Sequence, residues 1–180
     1  MRLFIGIPIR NAAQEEITSY YRLFAGIKTV KKENLHVTLQ FLGDMDDSLV
    51  EPLKKAVDEA CSEIKPFEMT MTRISAFPHT RNARVIFVNV DEGSGAVKKI
   101  FKNIGGSLSG IDYEKEKRAF IPHITIGRSK QGIDISGIAG ETKFKISSEA
   151  RQVVLFKSDL GPSGPVYTKV YEKILVERGE

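Results

Sequence analysis

Glu33-Asn34-Leu35-His36-Val37-Thr38-Leu39-Gln40-Phe41-Leu42-Gly43 reads as a strand. Over residues 34–42, Leu35, Val37, Leu39 and Phe41 alternate with Asn34, His36, Thr38 and Gln40. A period of two puts one set on each face of a sheet. The apolar set, Phe41 included, is expected on the buried face, with His36 and Thr38 on the other. A second stretch repeats the pattern, Phe120-Ile121-Pro122-His123-Ile124-Thr125-Ile126-Gly127-Arg128. It predicts a strand over 119–127, with His123 and Thr125 on one face and Ile124 and Ile126 on the other. The chain has three histidines, and two of them stand in this His-apolar-Thr-apolar setting.

The elements upstream of the two stretches also correspond. Residues 2–9 read as a strand, and Asn11 is placed to cap a helix over 12–26 that buries Ile17, Tyr20, Tyr21 and Phe24. After Gly43-Asp44, one of Asp46, Asp47 and Ser48 caps a helix reaching Ile64, with Leu49, Leu53, Val57, Ala60 and Ile64 inward. Residues 67–75 alternate as a strand. The second half opens with a strand over 85–90 and a helix from Ser94 to Leu108, weakened at Gly105-Gly106. Strand, helix and motif strand therefore occur twice, as in an internal duplication. Strands are further expected over 142–147, 151–157 and 166–176, the last two joined through the turn-rich run Ser158–Pro165. No linker divides the chain, which reads as a single domain over residues 1–180.

Composition sets the outer bounds. The chain has 180 residues, 41% hydrophobic and 28% charged, an ordinary globular balance sufficient for a core. No run of about eighteen apolar residues suggests a membrane span. The apolar start, Met1 to Pro8, is too short for a signal peptide. Cys61 is the one cysteine, so no intrachain disulfide forms, and a reducing cytoplasm is the expected compartment. The net charge of +4 permits a polyanionic partner without requiring one.

Two imidazoles form a sufficient acid and base for phosphodiester chemistry without a metal, because histidine titrates near pH ~6.5. If the two strands face one groove, one ring takes a proton from the attacking oxygen and the other gives one to the departing oxygen. Thr38 and Thr125 would donate to the non-bridging oxygens of the pentacovalent transition state. One His-x-Thr alone is usually just a strand, since threonine favours sheets; the matched pair carries the inference. A zinc site is the alternative use of two histidines, but no third or fourth ligand is evident. Cys61 lacks a CxxC partner and reads as core. His79 sits in a turn outside the pattern.

With these motifs the chain resembles the two-histidine (2H) phosphoesterases, and within them the 2′-5′ RNA ligase family of RNA 2′,3′-cyclic phosphodiesterases. The likeness runs over nearly the whole length: the opening Met1–Ile7, both motif stretches, Ala76-Phe77-Pro78, Ala83–Phe87, and Leu160-Gly161-Pro162 through Tyr167. The resemblance implies an α+β bilobal fold with two antiparallel sheets, helices outside and pseudo-two-fold symmetry. The active site lies in the central groove. It further implies hydrolysis of RNA 2′,3′-cyclic phosphate ends to 2′-phosphate ends, with His36 as proton donor and His123 as proton acceptor, and 2′-5′ ligation as the reverse chemistry. It implies no metal or nucleotide cofactor. RNA ends, tRNA fragments among them, are the expected partner of a monomer.

Other substrate contacts follow less directly. Arg128 is the best candidate phosphate clamp. Strict alternation turns it away from His123, and a bulge or strand end at Gly127 would redirect it. Arg84 is a second candidate for the groove. Lys28-Lys31-Lys32, Lys98-Lys99-Lys102 and Lys115-Lys117-Arg118 are candidates for guiding RNA, or are simply solvated faces. Phe120, beside the second motif, and Tyr167 are candidates for base stacking; Phe41 is a poor one if buried. Two other readings remain at this point. One is the same chemistry on a small molecule such as ADP-ribose cyclic phosphate. The other is a non-catalytic RNA-binding protein, for which an intact acid–base pair has no use.

Overall fold

The computed structural model describes residues 1–113 and 115–177. In chain order the elements are β1 (Arg2–Pro8), α1 (Asn11–Ser19), β2 (Lys28–Thr29), β3 (His36–Asp44), α2 (Val50–Cys61), β4 (Phe67–Phe77), β5 (Ala83–Val90), α3 (Ser94–Ser107), β6 (His123–Ile133), α4 (Ser136–Glu141), β7 (Ile146–Ala150), β8 (Gln152–Gly161) and β9 (Gly164–Ile174).

Most of the expected elements are present, with shifted ends. α1 starts at Asn11 itself, behind Arg10, and Asn11 makes no capping bond; it gives way to a 3₁₀ turn at Tyr20. Asp46 is the residue that caps the second helical segment, accepting from the Ser48 N–H at 2.8 Å. α2 then buries Leu53, Ala56, Val57, Ala60 and Cys61, one stripe of a 3.6-residue period. The second motif strand begins at His123, not 119, and runs on to Ile133. Pro122 has no N–H to give, and the ladder reaches it only through its carbonyl, which accepts from Val90 N–H at 3.1 Å. The run 158–165 is mostly strand. β8 and β9 stay paired out to Gly161 and Gly164, so the turn between them is only Pro162-Ser163.

The strands hydrogen-bond in the order β7-β4-β5-β6-β3-β1-β8-β9, with β2 added on β6, and every pairing is antiparallel. The two expected sheets are thus the two halves of one hydrogen-bonded sheet. Their junction is narrow: β3 and β6 share one residue pair, Val37 opposite Ile124. One face of the sheet packs on the helices. There Ile5, Ile7, Val37, Leu53, Val57, Ile86, Val97, Ile100, Ile104 and Ile124 are all fully buried, and Cys61 joins them. Burial of each such side chain stabilises by roughly 1.5–3 kcal/mol, which holds the helices against both halves. The opposite face carries a separate small cluster of Phe4, Val154 and Phe156 with Tyr167 against it. Among the described residues no helix is long and apolar enough to cross a membrane.

Candidate active site

The Val37–Ile124 pair lies where the two halves meet. Both side chains are completely buried, so alternation turns their neighbours His36, Thr38, His123 and Thr125 to the opposite, open face. Antiparallel pairing sets the first motif against the second about this point. The two imidazoles stand close enough to repel one another's charge.

Both motif strands then bulge at the same place. On β3, Thr38 faces Gly6 while Gln40 faces Ile5, which leaves Leu39 as an extra residue. On β6, Thr125 faces Phe87 while Gly127 faces Ile86, which leaves Ile126 as an extra residue. Two consecutive residues therefore point inward on each strand, Leu39-Gln40 and Ile126-Gly127, and all four are buried. The residue after them returns to the open face. On β3 that residue is Phe41, on β6 it is Arg128. Phe41 is 60% exposed, against the expectation of burial, and its ring lies 6.0 Å from that of Phe4 on the groove face. Arg128 is exposed and close enough to His123 to hold down its pKa.

Both imidazoles are oriented by the same backbone device. His36 Nδ1 stands 2.6 Å from the Asn34 carbonyl and His123 Nδ1 stands 2.6 Å from the Ile121 carbonyl, each two residues upstream. A carbonyl only accepts, so each Nδ1 carries the proton and donates it. In the neutral ring, Nε2 then bears the lone pair and faces the groove. His36 Nε2 meets the Thr38 hydroxyl at 2.9 Å, and that hydroxyl donates to it.

The walls differ. The Phe4 ring lies 4.9 Å from His36, Tyr167 stands edge-on at 5.4 Å, and Phe156 is 6.2 Å away. Burial in this aromatic enclosure disfavours the imidazolium and lowers the His36 pKa to about 4; the Asn34 carbonyl opposes the shift and the charge of His123 adds to it. His123 has Phe87 at 4.8 Å and Phe77 at 5.3 Å. Burial lowers its pKa too, with Arg128 adding to the effect.

Two residues that sequence reasoning missed shape the His36 side. Asn34 is buried; its carbonyl holds His36, and its side-chain amide donates to the Pro165 carbonyl at 2.9 Å. The β8–β9 hairpin is thereby tied to the orientation of the imidazole. Gly6 faces Thr38 in the ladder, and a Cβ there would stand 2.9 Å from the Val37 carbonyl and 3.2 Å from His36 Cδ2. Only glycine leaves room for the ring. The equivalent position on the other half, opposite Thr125, is Phe87, which itself covers His123. Asn89, opposite His123, holds a buried Oδ1 with no hydrogen-bond partner among the described residues.

The structure brings His36, Thr38, His123, Thr125 and Arg128 to one face. Phe120 is not among them. Its ring stacks on Phe101 of α3 at 4.1 Å and 7°, against the core, so its stacking surface is already used. Arg84 is exposed at the start of β5 and makes no hydrogen bond or ion pair among the described residues. His79 is exposed ahead of a 3₁₀ turn. No group of three or more His, Cys, Asp or Glu side chains among the described residues is arranged to hold a metal ion.

Comparison with known proteins agrees with this geometry. A family model described as LigT like Phosphoesterase matches residues 7–87. The RNA 2′,3′-cyclic phosphodiesterase of Methanocaldococcus jannaschii is 36% identical over 179 residues, covering 96% of this chain and 99% of that one. The protein of the same name from Archaeoglobus fulgidus is 27% identical, covering 93% and 96%. Among solved structures, TT0787 of Thermus thermophilus superposes with a TM-score of 0.84 at 24% identity over 97% of this chain and 98% of that one, a likeness of fold.

Proposed function

Since this chain belongs to the LigT-like phosphoesterases, we propose that it opens RNA 2′,3′-cyclic phosphate ends to 2′-phosphate ends by two-histidine acid–base catalysis without a metal. The observation that carries the reading is the convergence of His36, Thr38, His123 and Thr125 about the Val37–Ile124 pair, with both Nδ1 atoms pinned to carbonyls.

In this mechanism His123 Nε2 takes a proton from water as the water oxygen attacks phosphorus. The P–O3′ bond breaks in line with the attack, and His36 Nε2–H gives its proton to O3′. The product carries a 2′-phosphate and a free 3′-hydroxyl, and the proton lost from His36 is matched by the one gained at His123. Once His36 Nε2 is protonated it no longer accepts from the Thr38 hydroxyl, and Thr38, Thr125 and Arg128 donate to the non-bridging oxygens, whose charge grows in the transition state. With a 5′-hydroxyl in place of water, the same step joins two RNA ends through a 2′-5′ linkage. An anionic phosphate beside the His36 ring favours its cationic form and offsets the depression of its pKa by burial. Phe41 and Tyr167 stand on the His36 side, where the terminal base can stack.

The test is turnover of a short RNA with a 2′,3′-cyclic phosphate end, in EDTA, by wild type, His36→Ala and His123→Ala. Each variant is expected to lose about 10²–10⁴-fold in kcat, and the wild-type product to carry a 2′-phosphate. Wild-type-like rates in either variant would sink the proposal. So would loss of activity in EDTA that added metal restores.

A further inference from the structure

A depression of about 480 Å³ opens beside Arg128, and Lys28, Ser129, Lys130 and Gln131 line it with Arg128. β2 exists to build it. Lys28 lies opposite Arg128 and Thr29 opposite Gly127, while Val30 N–H donates to the Ile126 carbonyl at 2.9 Å. This two-residue strand carries Lys28 from the N-terminal half across to the second motif strand, alongside the clamp residue of the groove.

The chemistry of the lining is one-sided. No carboxylate among the described residues lines the depression. Among the described residues, Lys28, Arg128 and Lys130 form no ion pair, whereas Lys32 pairs with Glu15 and Lys157 with Asp159. Three unpaired cations in one depression repel each other, and an anion relieves that repulsion. No aromatic ring among the described residues lines it, and those residues offer bases no stacking surface. A row of cations with hydroxyl and amide donors but no aromatic suits a sugar–phosphate backbone read without regard to sequence.

Resting on the reading of the groove as a cyclic phosphodiesterase site, we propose that this depression holds the RNA backbone upstream of the reacting nucleotide. The reacting phosphate sits at Arg128 and the two histidines. The phosphodiesters that precede it rest on Lys28 and then Lys130. The preferred substrate is therefore a polynucleotide end, and a free cyclic nucleotide fills only part of the site.

The experiment compares kcat/KM on a cyclic mononucleotide and on a hexanucleotide with the same cyclic end, for wild type, K28A/K130A and K28R/K130R, across a salt series. Wild type is expected to favour the hexanucleotide. K28A/K130A loses about tenfold on the hexanucleotide and stays within twofold on the mononucleotide, and K28R/K130R regains the loss. The slope of log kcat/KM against log salt on the hexanucleotide falls by about 1.4, at roughly 0.7 per phosphate contact on a single strand. A hexanucleotide preference unchanged in K28A/K130A would overturn the proposal, as would an equal loss on both substrates. Fluorescence anisotropy with a hexanucleotide ending in 2′-phosphate reads the depression without turnover. Affinity about tenfold weaker in K28A/K130A supports it and equal affinity overturns it. If wild type hydrolyses neither substrate, the catalytic reading falls and the anisotropy result still decides the depression.

Discussion

β3 and β6 have the same backbone and different company. Each sets a histidine and a threonine on the open face, bulges by one residue, and presents the next side chain to the groove. Around His36 the neighbours are aromatic, the hydroxyl of Thr38 is already engaged, and the added side chain is Phe41. Around His123 stand Phe77 and Phe87, the added side chain is Arg128, and the Thr125 hydroxyl makes no hydrogen bond among the described residues. The difference teaches how a symmetric frame supports an asymmetric reaction. Backbone fixes where the imidazoles stand. Side chains decide which imidazole is more deeply enclosed and which half carries the cation.

The largest break in that contrast is expected from Arg128→Ala, which removes the cation that acts on His123. Loss of a donor to the growing phosphate charge should cost about 10²–10³-fold in kcat/KM. The pH profile moves as well. With one proton shared by the pair, kcat/KM falls below the lower pKa, that of His36 at about 4, and above the higher, that of His123, itself lowered from 6.5. The wild-type optimum thus lies on the acid side of neutrality. Arg128 depresses His123, so Arg128→Ala should carry the alkaline limb to higher pH. A rate profile whose limb stays in place would show that the guanidinium does not reach the ring.

A stability measurement isolates the enclosure around His36. Above pH 6.5 the ring is neutral both folded and unfolded. Between 6.5 and about 4 the unfolded chain binds a proton that the folded chain declines, so stability drops as pH falls through that window. The shift corresponds to about 3 kcal/mol at 1.36 per pKa unit. His36→Gln should escape this part of the acid loss. Urea denaturation of both proteins at pH 7 and pH 4.5 checks it, and equal losses would contradict the enclosed ring.

Gly6→Ala probes a place where the two halves pack differently, since Gly6 faces Thr38 and Phe87 faces Thr125. The added Cβ presses on the Val37 carbonyl and His36 Cδ2. Displacing the imidazole should lower kcat by about tenfold with little change in KM. An unchanged kcat would mean that β1 yields instead of the ring.

Periodicity made the sheet, the helix faces and the four converging side chains legible. Alternation is a local property, and so are a capping aspartate and a His-x-Thr pair. The bulges were not legible in this way, because an extra residue is defined only against the neighbouring strand. That is why Phe41 reads as buried in the sequence and stands exposed in the fold, and why the side of Arg128 stayed open. Phe120 is adjacent to the motif in the chain, but its partner Phe101 sits on a helix that periodicity cannot dock. Asn34 and Pro165 are 131 residues apart, and only the closed fold brings them together.

The paired bulge has a consequence for how such a site changes over descent. Exchanging Phe41 or Arg128 for another residue alters what that half of the groove holds and leaves the ladder untouched. Removing one residue between Thr38 and Phe41, or between Thr125 and Arg128, cancels the bulge and restores plain alternation, which keeps the next side chain on the open face but takes out the local bend and extra twist that aim it. Point substitutions there are thus the raw material of new specificity, while a lineage that drops a single codon in either segment keeps the facing of its side chains and straightens the strand that aims them.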